Sequence, residues 1–135
     1  MPDLEQLRAK DAHDQTKKVK GEPWAAQYGS YVERFGPAVL TNGLGQALAF
    51  ERASAGCSPG EGDEQAHKRL YDNIQGWLRK DDGGPALLRR ETDLLDWLVE
   101  AEQSEYLAAQ AETLAWLSWH KKFCQAYLPR EKNPE

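Results

Sequence analysis

Apolar residues recur along this chain at helical spacing and almost nowhere in alternation. Trp24, Tyr28, Tyr31 and Phe35 follow at steps of four, three and four, which makes one aromatic stripe on a helix. Within DEQAHKRLYDNIQGWLRK, Ala66, Leu70, Ile74 and Leu78 form a row flanked by Tyr71 and Trp77. Leu40, Leu44 and Leu48 form another, widened by Ala47 and Phe50. The last periodic segment carries two rows, Leu107, Ala111, Leu114, Leu117 and Trp116, Trp119, Phe123, Tyr127. The first is expected to face the core; the second implies burial on both sides or contact with a partner. Leu4, Leu7 and Val19 are sparse, so residues 3–20 are expected to form a mostly solvated helix with one thin apolar edge.

Breaks separate these segments. Gly21 ends the first helix, and Pro23 suits the first turn of the next. Gly36-Pro37 is expected to close that helix and open another. SAGCSPGEGD (54–63) is a loop whose Asp63 reads as an N-cap. KDDGGP is a further break, and from Pro85 a shorter element carries Leu87, Leu88, Leu94, Leu95, Trp97 and Leu98. Ser104 is expected to cap a long final helix running to about Leu128, before Pro129 and the charged REKNPE.

Asn42-Gly43 is a strong hairpin signal, yet the leucine row passes through it unchanged, and the expectation is an uninterrupted helix. Gly43 and Gly45 would each cost about 1 kcal/mol against Ala there. Close approach of another helix, or of a ligand, would recover that loss.

Composition sharpens the class. Nine β-branched residues stand against thirty-three Ala and Leu, which excludes a sheet-rich protein and predicts an all-α bundle of five to six helices. A chain of 135 residues, 40% hydrophobic and 29% charged, is one domain with its own core: residues 1–128, followed by a charged tail at 129–135. The polar MPDLEQLRAK start and the lack of a long apolar run predict a cytoplasmic protein without membrane association. Cys57 and Cys124 give no disulfide framework and read as free thiols.

Little catalytic chemistry is present. Gly43-x-Gly45 follows no strand and lacks a third glycine, and there is no Gly-Lys-Ser/Thr phosphate loop or His-Glu-x-x-His. His120 and Cys124 are spaced to share a metal, with Cys57 and His67 as further ligands, but the full set has no recognisable zinc pattern. A buried thiol at Cys124 and a surface imidazole at His120 are the plainer expectation. Glu61, Asp63 and Glu64 disfavour the thiolate of Cys57, and Asp93, Asp96 and Glu100 read as a solvated acidic face. The expectation is no enzyme, no metal and no cofactor.

The net charge of −5 argues against a surface that coats nucleic acid everywhere. The charge is segregated, however. Seven acidic residues and no basic one lie between Glu91 and Glu112, while Lys17, Lys18, Lys20, Arg34, Arg52, Lys121 and Lys122 lie elsewhere. The first three also suit a helix C-terminus. Lys121 and Lys122 interrupt the most apolar helix, where capping does not explain them; phosphate contact would, and so equally would simple solvation of the two side chains.

The run QYGSYVERFGPAVLTNGLGQALAFE resembles the signature of the small α-helical subunit of the type III-B CRISPR effector, the Cmr complex. SEYLAAQAETLAWLSWHKKFCQAYL is similar to that family's closing helix, and the resemblance spans about residues 24–128. It implies a non-catalytic, RNA-binding subunit in antiviral defence that stacks in copies of itself along the guide-RNA filament subunit and lines the path of target RNA. Its partners would be the other effector subunits and target RNA paired with guide RNA. Backbone contact is then expected from Lys17, Lys18, Lys20, Lys121 and Lys122, with Arg34 and Arg52 behind them; Glu51-Arg52 departs from the family pattern. A helical protein–protein adaptor without nucleic-acid contact is the alternative.

Overall fold

A computed structural model describes residues 2–131, so Lys132 to Glu135 of the expected tail lie outside the described residues. The protein is all-α, with six helices among the described residues: α1 (Leu4–Val19), α2 (Ala25–Asn42), α3 (Leu44–Ala55), α4 (Asp63–Arg79), α5 (Leu94–Leu98) and α6 (Gln103–Tyr127). α1 packs along α6, and their pairings rise together, Arg8 with Glu112, Asp11 with Trp116 and Thr16 with His120. The two therefore run parallel. α6 runs antiparallel to α2, since Gln125 meets Glu33 while Gln110 meets Leu44.

The α4 row is where the pattern placed it, with Ala66, Leu70, Ile74 and Leu78 buried together with Tyr71 and Trp77. The α2 stripe is also inward, Tyr28 and Phe35 fully and Tyr31 partly. α2 differs from expectation at both proline sites. It begins at Ala25, beyond Pro23, and it passes straight through Gly36-Pro37. Pro37 removes the N–H that the Glu33 carbonyl would accept, and both residues are exposed.

The break falls instead at Gly43. Its φ of 86° and ψ of 160° end α2 and start α3 on one residue, a conformation essentially restricted to glycine. Its N–H donates to the Val39 carbonyl at 2.7 Å, and its carbonyl accepts from Ala47 at 3.2 Å, so both helices close on it. The leucine row breaks there: Leu44 and Leu48 are buried, but Leu40 is 74% and Phe50 63% exposed. The expected close approach occurs at this joint. The Tyr106 hydroxyl lies 3.1 Å from a Cβ built on Gly43 and 3.2 Å from one on Gly45. α3 has no side-chain cap of its own. Its first donors go to α6: Leu44 N–H to Gln110 Oε1 at 3.0 Å and Gly45 N–H to Tyr106 Oη at 2.8 Å.

Other boundaries shift by a residue or two. Gly62, not Asp63, is the N-cap of α4. Glu102, not Ser104, caps α6 through a reciprocal capping box with Glu105. The stretch after Pro85 is irregular until α5, which Asp93 caps by accepting from the Asp96 amide.

The inner faces of α1 and α6 are the largest departure. α6 buries Ala109, Thr113, Trp116, Leu117, His120 and Cys124, whereas Leu107 is 51% exposed and Ala111 is also outside. α1 buries Asp11, Ala12, Thr16 and Val19, so its contact face is half polar and not a thin apolar edge. Hydrogen bonds make that burial tolerable. Arg8 makes a forked pair with Glu112 at 2.6 and 2.9 Å, and Glu112 also accepts from Trp77 Nε1 at 3.0 Å. Asp11 accepts from Trp116 Nε1 at 2.9 Å.

Candidate nucleic-acid interface

Parallel pairing of α1 and α6 decides where the charge gathers. Thr16 Oγ1 lies 3.2 Å from His120 Nδ1. Lys17, Lys18 and Lys20 follow that pairing on the α1 side, and Lys121 and Lys122 follow it on the α6 side. All five are exposed, and none has an acidic side chain in ion-pair reach among the described residues. Two groups far apart in sequence thus stand at one level of the α1–α6 pair. Lys17 and Lys18 stand in the last turn of α1, where they also complement the helix dipole.

Lys10 and His13 join this surface without having been among the expected contacts. Lys10, His13, Lys17 and Lys20 follow at i, i+3, i+7 and i+10, one face of α1. His13 stands edge-on to Phe123, with centroids 5.1 Å apart, and to Tyr127, at 5.5 Å. Trp119 and Phe123 stack at 5.9 Å. Only Trp116 of the second aromatic row is in the core; Trp119 and Phe123 are partly buried and Tyr127 is 45% exposed. The helical spacing of Lys10 and His13 with Lys17 was the available signal. Their proximity to the aromatic row follows from the α1–α6 pairing, which no local pattern encodes. Two members are already engaged, Lys10 with Asp14 at 3.1 Å and Trp119, whose Nε1–H donates to Glu5 Oε1.

Arg34 and Arg52 lie apart from this surface. The Arg34 guanidinium sits 4.8 Å over the Tyr31 ring and lines a groove between α2 and α3 with Phe35, Gln46 and Phe50. Arg52 is committed to Asp93 at 2.9 Å and lies 5.1 Å over the Tyr71 ring.

His120 is fully buried, not a surface imidazole. Its Nδ1–H donates to the Ala12 carbonyl at 3.1 Å, so Nε2 accepts from the Tyr28 hydroxyl at 2.6 Å, and that hydroxyl in turn accepts from Asn73 Nδ2 at 2.8 Å. Burial pushes His120 down to about 4 and holds it neutral. Burial also pushes the Cys124 thiol up to about 12, far from a metal-ligating thiolate. Cys57 is exposed on the loop after α3, and His67 is paired with Glu51 at 2.6 Å. The four residues with ligand chemistry are therefore not brought to one point, and among the described residues no three His, Cys, Asp or Glu side chains form a cluster suited to a metal ion.

The family model of the CRISPR-associated protein Cas_Cmr5 matches residues 4–127. Among solved structures, the X-ray crystal structure of a CRISPR-associated Cmr5 family protein from Thermus thermophilus is similar, with a TM-score of 0.73 and 27% sequence identity. The match covers 96% of this chain and 100% of that one.

Proposed function

The chain belongs to the Cmr5 family of CRISPR-associated proteins and is a subunit of the type III-B kind, and on that premise we propose that it is a non-catalytic small subunit of an RNA-targeting interference complex. It stacks along the guide-RNA filament with copies of itself and touches the target RNA backbone, in antiviral defence in the cytoplasm. The unit that does this is the helical domain of residues 1–128, with 129–135 as its charged tail. No helix among the described residues is long and apolar enough to cross a membrane.

The observation that carries the reading is that Lys17, Lys18, Lys20, Lys121 and Lys122 stand at one level of the parallel α1–α6 pair, exposed and without acidic partners among the described residues. Such a face suits phosphates and reads no bases; specificity then comes from pairing with the guide. Arg34 is a secondary candidate. Arg52 contributes only if Asp93 releases it. The adaptor alternative is weakened by the state of its acidic run. Asp93 is used by Arg52 and Tyr71, Glu102 and Glu105 by the α6 cap, and Glu112 by Arg8 and Trp77.

Reversing the charge of Lys17, Lys18, Lys121 and Lys122 in the assembled complex should weaken retention of target RNA uniformly across sequences. It should also flatten the dependence of log affinity on log salt by about 0.7 for each phosphate that is no longer neutralised. Unchanged retention, with an unchanged salt slope, would show that this face does not carry the RNA.

A further inference from the structure

Beyond Arg79 the chain turns back on α4. The Ala86 amide donates to the Lys80 carbonyl at 3.0 Å, and the Leu87 and Leu88 amides donate to the Leu78 carbonyl at 2.8 and 3.3 Å. The return is tight. Gly83 has φ +75°, and Ala86 at φ +50° is the one non-glycine residue with positive φ among the described residues, a conformation costing on the order of 1 kcal/mol. A Cβ on Gly84 would fall 2.6 Å from both the Lys80 carbonyl oxygen and Lys80 Cβ, so only glycine fits there.

This strained return brings Arg89 and Arg90 to the same cleft as Arg79 and Lys80, an open hollow of about 590 Å³ against α1. Asp11, Gln15 and Asp81 also line it. Burial raises the Asp11 pKa, while the Trp116 hydrogen bond and the Lys80 charge oppose that; with Arg79, Lys80, Arg89 and Arg90 set against Asp11 and Asp81, basic side chains outnumber acidic ones in the lining. Arg79 spends one Nη2–H on the Thr92 carbonyl at 2.7 Å, and its Nε–H is buried without a hydrogen-bond partner among the described residues. Lys80, Arg89 and Arg90 are exposed, with no ion pair among the described residues.

We propose that this cleft is a second phosphate site, one that takes the phosphodiester backbone of single-stranded RNA through Arg89, Arg90 and Lys80. It rests on the reading that the subunit contacts RNA. Paired guanidinium forks match phosphate oxygens bidentately, and a concave basic hollow tracks a single strand. No aromatic side chain lines the hollow, so it holds backbone without stacking bases. Asp11, Gln15 and Lys18 follow at i, i+4 and i+7 on one face of α1, so the wall of the cleft leads along that helix toward Lys18.

The test titrates labelled single-stranded oligouridine with the full chain at several salt concentrations, using R89A/R90A and K121A/K122A, whose exposed side chains can be removed without unfolding. R89A/R90A should weaken binding on the order of tenfold at low salt and flatten the salt slope by about 1.4. Loss with K121A/K122A but not with R89A/R90A overturns the cleft and leaves the RNA reading intact. Loss with R89A/R90A alone supports the cleft and moves the RNA off the lysines. Absence of binding by the unaltered chain overturns both. Displacement of the oligomer from the cleft by inorganic phosphate at equal concentration makes it a free-phosphate site and overturns the RNA assignment.

Discussion

Protonating His120 in place would put a charge where no acceptor awaits it. Its Nδ1–H is already spent on the Ala12 carbonyl, and its Nε2 faces a Tyr28 hydroxyl that donates to it. Turning that hydroxyl around would leave it donating to nothing, since Asn73 also approaches it as a donor. The unfolded chain takes up the proton near the ordinary value of 6.5 and the folded chain only near about 4. Because the folded value is the lower one, stability is present above about pH 6.5 and is lost as pH falls toward about 4. Between about pH 7 and about pH 5 the loss from this group should be roughly 2 kcal/mol. Asp11 and Glu51 act in the opposite sense, because burial raises both and favours protonation of the folded state. Urea unfolding of the unaltered chain beside His120→Gln isolates the histidine. The variant should be less stable at about pH 7 and lack this share of the acid-side decline. Parallel curves for the two proteins would mean that His120 is not held neutral by the fold.

At the scale of elements, Gly76 and Gly43 separate two uses of the same residue. Gly76 is inside α4, and a Cβ there meets nothing within 4 Å among the described residues, so Gly76→Ala should stabilise by roughly 0.5–1 kcal/mol. Gly43 has φ 86° and Tyr106 Oη 3.1 Å from its would-be Cβ. Gly43→Ala should therefore destabilise by roughly 1–3 kcal/mol, and thermal melts of the pair should move in opposite directions. Equal shifts would mean the joint is not held in this conformation. The sequence pattern assigned the break to Gly36-Pro37 and continuity to Gly43 because Leu40, Leu44 and Leu48 keep one period across the joint. Asn42-Gly43 carried the sign of a break, but the leucine row outweighed it; the exposure of Leu40 and Phe50 shows the change of direction, and exposure is not a sequence property. α4 was legible because its row is wholly apolar. The α1 face was not, because Asp11 and Thr16 are buried through hydrogen bonds to residues more than a hundred positions away. The lysines were legible as segregated charge. Their common level on the α1–α6 pair, and the cleft that Arg89 and Arg90 share with Arg79, depend on that same α1 docking and on a tight return that reads in sequence only as a break.

For the whole molecule, the connection that no single element supplies is the one made at Glu112. Its carboxylate accepts a fork from Arg8 of α1 and a bond from Trp77 Nε1 of α4 while standing on α6, so three helices meet on one side chain. The Arg8 hydrogen bonds hold Glu112 below the usual carboxylate range against the opposing effect of burial. The pair is largely out of water, with side chains 18% and 10% exposed. Removing only the guanidinium leaves a buried carboxylate with Trp77 alone, so Arg8→Leu should cost roughly 3 kcal/mol. Glu112→Gln keeps an acceptor for Trp77 but strands the Arg8 charge, and should cost somewhat less because Arg8 can still reach water and Glu5 at 3.4 Å. The double variant removes both charges and leaves the Trp77 bond, so it should be more stable than the sum of the single losses predicts by roughly 1–3 kcal/mol. Chemical unfolding of the four proteins at neutral pH measures that difference. Additivity within about 0.5 kcal/mol would mean that the Arg8–Glu112 pair takes no share in holding α1 to the bundle. The lysines of α1 would then owe their position beside α6 to Ala12 and Val19 and to the pairings of Asp11 with Trp116 and Thr16 with His120.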